Sequence, residues 1–187
     1  MSDRYERTPH GRRFPPARTL LALVLAVCAA SWGARADGPT EYEVKAAYLY
    51  NLAKFVSWPQ LAAGGELTVC VIGEDPFGGA IDALAGRTVQ EWTLRVLRGP
   101  ATREPGRCQL AFVAAPARDP ALLAALAAAG TVTVGDAGDF MAAGGMVAIA
   151  IVDGHLQFEI NLQPAERSGV KFSAQLLKLA RRVTGSN

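Results

Sequence analysis

The sequence is poor in the side chains on which catalysis and metal binding most often depend. Its 187 residues include three cysteines and two histidines, and aromatic residues make up 7 %. The four serines beyond residue 36 stand in no nucleophile-elbow pattern. No phosphate-binding P-loop, two-metal cluster or EF-hand pattern is present either. We therefore expect a protein that is not an enzyme.

Charge is scarce too, and it is unevenly distributed. The net charge is +2, but six of the 19 Lys and Arg residues and two of the 17 Asp and Glu residues precede residue 37. The remainder has 13 basic and 15 acidic groups, a net charge of −2. A near-neutral chain is a poor binder of polyanions, so no nucleic-acid partner is expected. Since half of all residues are hydrophobic, residues 37–187 are long enough and apolar enough for one packed domain.

The N-terminus has the pattern of an export signal. Arg12, Arg13 and Arg18 precede an uncharged stretch over 19–34, which spans about 24 Å as a helix and is short for a membrane. The small residues Ala34 and Ala36 fit a signal-peptidase site. We predict that residues 1–36 are a cleaved signal peptide and that the protein is periplasmic. A lipoprotein signal ending at Cys28 and a twin-arginine signal stay open as alternatives.

Cleavage would leave two cysteines, Cys70 and Cys108, and one histidine, His155. In an oxidising compartment the two thiols favour one disulfide, although two buried free thiols on neighbouring strands stay open. Two cysteines at separate strand positions with a single histidine do not make a zinc pattern. No metal and no cofactor are therefore expected.

Hydrophobic periodicity and turn residues predict strands that alternate with helices. The first helix, over 40–56, begins with a capping box in which Thr40 is the cap and Glu43 reaches back. Asp153 and Gly154 form the favoured two-residue hairpin turn near the end of the chain. The other predicted elements are strands over 67–72, 88–97, 108–114, 131–134, 146–152 and 155–161, and helices over 77–84, 119–129, 164–168 and 173–183. This order predicts a single α/β domain with a mixed, mostly parallel sheet of about six strands, helices on both faces, and a C-terminal β-hairpin plus helix.

Two groups of polar and aromatic residues are candidate binding sites. Asn51 and Trp58 lie beside the apolar stripe of the first helix and are candidates for a small ligand pocket. Glu159 interrupts an apolar strand, so its side chain is expected to face solvent or a partner. Together with three polar residues that follow it, it is a candidate partner-binding patch, with a merely solvated face as the alternative: Glu159, Asn161, Glu166 and Lys171.

Four strings, in their order and spacing, resemble the YfiR-like family of exported bacterial proteins. They are KAAYLYNLAKFVSWP at 45–59, LTVCVIGEDPFG at 67–78, FEINL at 158–162 and LLKLA at 176–180. The resemblance implies a periplasmic α/β protein that represses an inner-membrane diguanylate cyclase of the YfiN type. Such a repressor binds the periplasmic sensor region of the cyclase and lowers cyclic di-GMP signalling, which would make this protein a biofilm regulator.

The resemblance also bears on the cysteines and on the alternatives. Cys70 and Cys108 match cysteines of the family, in which disulfides keep the repressor folded, but a further pair has no counterpart near 146–152. Related domains occur as sensory inputs of kinases. A small-molecule sensor acting on a histidine kinase or another receptor is therefore the alternative function. A homodimer and a small-molecule ligand stay open as further partners.

Overall fold

The computed structural model describes residues 39–185, which form one α/β domain. The predicted signal peptide and its cleavage site lie outside these residues. Four helices are named in chain order: α1 (Glu41–Lys54), α2 (Pro120–Ala128), α3 (Leu162–Ser168) and α4 (Ala174–Leu179). Ten strands are named in the same way: β1 (Val56–Ser57), β2 (Glu66–Ile72), β3 (Thr88–Val89), β4 (Trp92–Leu97), β5 (Leu110–Val113), β6 (Val132–Gly135), β7 (Val147–Val152), β8 (His155–Asn161), β9 (Lys171–Phe172) and β10 (Arg182–Thr184).

Eight of the strands form the main sheet, in the order β10-β8-β7-β6-β5-β2-β4-β3. Five neighbouring pairs are parallel, whereas β3–β4 and β7–β8 are antiparallel. The predicted mixed, mostly parallel sheet is thus confirmed. The predicted strand number of six is too low for this sheet, and β1 and β9 form a separate antiparallel pair.

The alternation of side chains along the central strands gives the sheet a core on each face. On one face, Leu67, Val69 and Val71 of β2 pack in a cluster with residues of α1 such as Leu49 and Leu52. On the other face, Cys70 and Ile72 pack in a cluster with Leu123 and Leu126 of α2. β2 and β5 are buried along nearly their whole length. The apolar runs over 69–72 in β2 and over 110–113 in β5 are typical of parallel strands covered on both faces.

Local signals fix the beginning of α1. The Thr40 hydroxyl accepts from the Glu43 N–H at 3.3 Å, and the Glu43 carboxylate accepts from the Thr40 N–H at 2.6 Å. The predicted capping box is therefore confirmed. The buried face of the helix includes Leu49 and Leu52, at the spacing that places side chains on one side of a helix.

The C-terminal helix is shorter than predicted. It was expected over 173–183, with Ser173 as its cap, and Ser173 does accept from the Leu176 N–H. The helix ends at Leu179, however, because Ala180 is extended and residues 182–184 form β10 beside β8. The predicted hairpin is confirmed, with Asp153 and Gly154 both at positive φ (50° and 74°) in its turn.

Among the described residues, no helix has the length and apolar character needed to cross a bilayer.

Candidate functional site

A shallow cavity lies across one face of the β7–β8 hairpin. The register pairs Ala148 with Glu159 and Ala150 with Gln157, so these four side chains share a face of the sheet. The two alanines leave space there, and the cavity has a volume of about 220 Å³. We call it the hairpin trough and define it by its alanine floor and its two walls: Ala148 and Ala150, Asp136 and Met141, and Glu159 with Arg181 and Arg182.

Glu159 is the centre of one wall and is held by two arginines. Its Oε1 accepts from Arg181 Nε at 3.1 Å, and its Oε2 accepts from Arg182 Nε at 2.9 Å, while each guanidinium donates a second bond from Nη2. The Glu159 side chain is 12 % exposed, whereas the arginine side chains are 62 % and 61 % exposed. The hydrogen bonds from Arg181, and then those from Arg182, lower the pKa of Glu159. Glu159 therefore stays ionised, and the arginines form the outer surface of this wall.

The opposite wall begins at Asp136, directly after β6, and is tied to α1. Lys45 Nζ donates to Asp136 Oδ2 at 2.6 Å, and Tyr42 Oη donates to the same oxygen at 3.2 Å. Lys45 also pairs with Glu41, and its side chain is only 3 % exposed. Burial, and next the charge of Asp136, raise the pKa of Tyr42. The first two turns of α1 thus fix the position of this wall.

Packing around Phe140 holds the rest of that wall. Phe140 is fully buried, and Gly135 and Gly145 lie against its ring. A Cβ at either glycine would stand 2.4 Å or 2.1 Å from a ring carbon, which is closer than packed atoms approach. Arg118 Nη2 donates to Asp139 Oδ2 at 2.7 Å from outside the loop. The loop over 136–145 therefore has a buried aromatic anchor and an ion pair.

The four residues of the predicted partner-binding patch have different roles in the structure. Only Glu159 lines the hairpin trough. Asn161 caps α3, with its Oδ1 accepting from the Gln163 N–H at 3.2 Å. Glu166 is exposed on α3, and Lys171 is exposed on β9, where it pairs with Ser57. The partner-binding role of all four stays a prediction, and the geometry favours Glu159 among them.

Asn51 and Trp58, the candidate ligand pocket, stand in different environments. Asn51 is exposed and accepts from Lys54 Nζ at 3.1 Å. Trp58 is 2 % exposed, and its indole N–H donates to Ala53 O at 3.1 Å. Trp58 is thus a core side chain with its polar atom satisfied. The structure gives no support to a shared pocket at these two positions.

A second cavity lies at the C-terminal end of α1, and it is basic. Its volume is about 310 Å³, and it is lined in part by Lys54, Gln90 and Lys171, with Phe55 and Phe172 as apolar neighbours. Gln90, at φ 53°, donates from Nε2 to Lys54 O and Val56 O at 3.0 and 3.2 Å. These bonds join the β3–β4 turn to the end of α1. We call this site the basic cavity.

Cys70 and Cys108 form a disulfide in the structure. The two residues are 0 % and 2 % exposed and lie in the core between β2 and α2. The bond joins β2 to the residues just before β5, within the core that α2 covers. A bond so placed is a structural element of the core.

Sequence reasoning missed Asp136, Arg181 and Arg182 as parts of a site. Both arginines fall within the segment over 173–183 that the sequence pattern predicts as one helix. Val183 and Thr184, which follow them, are β-branched residues that favour a strand, and this was the available signal. Asp136 carried no local signal, because its partner Lys45 is 91 residues away.

The architecture and the site define the class of the protein: an α/β domain with an open sheet face and a charged rim. Among the described residues, no cluster of His, Cys, Asp or Glu could hold a metal ion. The sequence model of the YfiR/HmsC-like family, DUF4154, matches residues 42–181. The chain belongs to this family. Membership in this family indicates a periplasmic regulatory protein.

Comparison with other known proteins adds little to this. No curated protein matches the chain significantly. Among solved structures, a conserved domain protein from Vibrio cholerae O1 biovar El Tor is similar at 10 % identity over 78 % of this chain, with a TM-score of 0.49. An ABC domain from Streptococcus pneumoniae in complex with L-Trp is similar at 13 % identity over 74 % of this chain, also with a TM-score of 0.49. The aligned part spans 60 % of each of those two chains.

Proposed function

We propose that this protein is exported to the periplasm and represses an inner-membrane diguanylate cyclase by binding the periplasmic sensor region of that enzyme. Repression would lower cyclic di-GMP signalling and restrain biofilm formation. The observation that carries the proposal is the match of the YfiR/HmsC-like family over residues 42–181. The hairpin trough supplies a surface on which such a partner can dock.

Binding alone is sufficient for this function. A regulator that binds one conformation of its partner more tightly than another shifts the partner toward that conformation. The trough has an apolar floor for affinity and charged groups at its rim for orientation. Glu159 is fixed by two arginines and Asp136 by Lys45, so the surface is ordered before the partner arrives and loses little entropy on binding.

The protein acts in this proposal as a binding partner and not as an enzyme. Ser173 caps α4, and Ser168 Oγ donates to backbone oxygens of α3. His155 Nδ1 contacts Asp153 O at 2.8 Å in the hairpin turn. These side chains, which are typical of nucleophilic catalysis, therefore serve local structure.

Co-purification with the diguanylate cyclase encoded nearest its gene tests the proposal. The tagged protein, isolated from the periplasm, is incubated with the full-length cyclase in detergent. We expect capture of the cyclase and a lower rate of cyclic di-GMP synthesis. Failure of the wild-type protein to bind or inhibit the cyclase would refute the proposed function.

A charge reversal tests the role of the trough in the same assay. Glu159→Lys removes the acceptor that orients Arg181 and Arg182, so both guanidiniums lose their fixed positions and capture should fall. Glu74→Lys is the matched control, because Glu74 is exposed and does not line the trough. Equal capture by both variants would remove the trough from the proposal while leaving the function intact.

The basic cavity favours a second candidate function, that of a small-molecule sensor acting on a histidine kinase or another receptor. Lys54 and Lys171 lie there beside Phe55 and Phe172, a combination suited to an aromatic anion. Titration calorimetry with benzoate as the probe tests this. We expect weak binding that is lost in Lys171→Ala and kept in Lys178→Ala. Binding that survives both substitutions, or no heat from the wild-type protein, would speak against this second function.

A further inference from the structure

A single large apolar side chain stands out on the surface of residues 39–185. Leu179 is 65 % exposed, and among residues 39–185 it is the one large hydrophobic residue that is exposed. It is the last residue of α4, and the chain then becomes extended at Ala180. Arg181 and Arg182 follow at once and reach the hairpin trough. Leu179 therefore lies only two residues before Arg181, which forms part of one wall of the trough.

The charge of this region is positive. Residues 174–185 include Lys178, Arg181 and Arg182 and no acidic residue. Glu159 balances one of the two arginine charges, and its side chain lies mostly covered while theirs face solvent. The region thus presents exposed guanidinium groups with an excess of positive charge. A cationic surface next to an apolar side chain attracts a partner that is acidic and partly apolar.

The size of the trough limits what can occupy it. Its volume is about 220 Å³, below the range of about 300–1,000 Å³ in which most small-molecule pockets fall. Its floor consists of small side chains, Ala148 and Ala150, between Met141 and the arginines. Such a depression suits a side chain of a protein segment that continues along the surface on either side.

We propose that Leu179, Arg181, Arg182 and the hairpin trough dock an acidic protein segment that also carries an apolar anchor residue. This inference rests on the proposed function and specifies it: the segment belongs to the periplasmic region of the cyclase. The carboxylates of the segment pair with the outer N–H groups of the two guanidiniums, and its apolar side chain contacts Leu179 or enters the trough. Because Glu159 already orients both arginines, the partner need not immobilise them.

Affinity measurements with the full-length cyclase in nanodiscs test this inference. We expect that Leu179→Ser weakens binding roughly tenfold, as truncation of an interface anchor does. Arg181→Glu combined with Arg182→Glu should weaken binding to the cyclase further. It should also abolish the decrease of affinity with salt concentration that we expect for the wild-type protein. Arg95→Glu is the control. The Arg95 side chain is about as exposed as those of the two arginines and pairs with Glu66, and its strand β4 lies toward the opposite end of the main sheet from β10.

The choice of variants distinguishes loss of the contact with the cyclase from unfolding of the protein. Arg181 and Arg182 hold Glu159, so their reversal could disturb β10, whereas Leu179 is outside the core and its substitution leaves the core unchanged. Arg181→Lys combined with Arg182→Lys keeps the charge and should retain most of the binding. Reversal of the acidic segment of the cyclase to lysine should restore binding to the Arg181→Glu and Arg182→Glu variant.

The outcomes distinguish this inference from the function on which it rests. Absence of binding by the wild-type protein would overturn both. Wild-type binding that is unchanged in Leu179→Ser and in the double arginine reversal would overturn the docking surface alone. Arginine-dependent binding to phosphatidylglycerol vesicles, with cyclase binding unchanged in the same variants, would assign the surface to lipid and overturn the inference as well.

Discussion

Lys45 and Asp136, 91 residues apart in the sequence, form an ion pair of 2.6 Å that joins α1 to the end of β6. The Lys45 side chain is 3 % exposed and that of Asp136 is 17 % exposed. Burial by itself would lower the pKa of Lys45, but hydrogen bonds to Asp136 and Glu41 raise it above its ordinary value. A lysine with a raised pKa stabilises the fold at all pH values below its ordinary pKa and loses this effect only as the pH rises above it.

Loss of this pair should destabilise the domain at neutral pH. Lys45→Met removes the cation and leaves Asp136 with Tyr42 alone, a largely buried charge without its counter-ion. We expect the free energy of unfolding to fall by about 2–3 kcal/mol, measured by urea denaturation at pH 7. Lys54→Met on the same helix is the control, because Lys54 is exposed. Lys45→Met combined with Asp136→Leu should recover part of the loss, and an unchanged stability of Lys45→Met would contradict the structural role.

Local signals made much of the fold predictable, whereas contacts between distant residues did not follow from the sequence. The capping box at Thr40 involves residues three apart, and the hairpin turn at Asp153 involves neighbours. The end of α4 depends instead on the pairing of Arg182 with Glu159, 23 residues earlier in the chain. The predicted helix over 173–183 was therefore too long.

The extra strands have a similar cause. The segment over 88–97 was predicted as one strand and is a tight hairpin of β3 and β4. Its turn has Gln90 in the left-handed region at φ 53°, where glycine or asparagine would have been the expected signal. Gln90 is stabilised there by its hydrogen bonds to the end of α1. The site shows the same limit, since Glu159 was found from its place in an apolar strand but its arginines were not.

Reduction of the disulfide should require opening of the core. Cys70 and Cys108 are 38 residues apart and almost inaccessible, so we expect dithiothreitol to act slowly on the native protein and at once after unfolding. The reduced protein should lose about 4 kcal/mol by the chain-entropy estimate, or on the order of 10 °C in Tm. Calorimetry of the oxidised and reduced protein measures this. Reaction of both thiols with a maleimide in the folded, unreduced protein would rule out the bond.

Glu159 should make stability depend on pH on the acid side. Its pKa is lowered, first by the hydrogen bonds from Arg181 and then by those from Arg182. A carboxylate with a lowered pKa stabilises the fold above its ordinary pKa of about 4.3, and the effect is lost as the pH falls through the folded-state value. Wild type should thus be more stable than Glu159→Gln at pH 7, and the difference should shrink as the pH is lowered below 4. A difference that stays constant with pH would show that the charge of Glu159 plays no part.

Gly145 should tolerate no side chain, because Phe140 occupies the space beside it. A Cβ there would lie 2.1 Å from the Phe140 ring, and Phe140 is fully buried. We expect Gly145→Ala to lower the free energy of unfolding by about 1–3 kcal/mol, as overpacking does. Gly138→Ala in the same loop is the matched control, since a Cβ at Gly138 meets no atom within 4 Å and its φ is not positive. Because the loop over 136–145 forms a wall of the trough, Gly145→Ala should also weaken cyclase capture. Adding Phe140→Leu to Gly145→Ala should relieve the clash and recover part of the stability. Equal stability of Gly145→Ala and Gly138→Ala in urea denaturation would show that the loop adjusts freely around Phe140 and does not hold the wall in place.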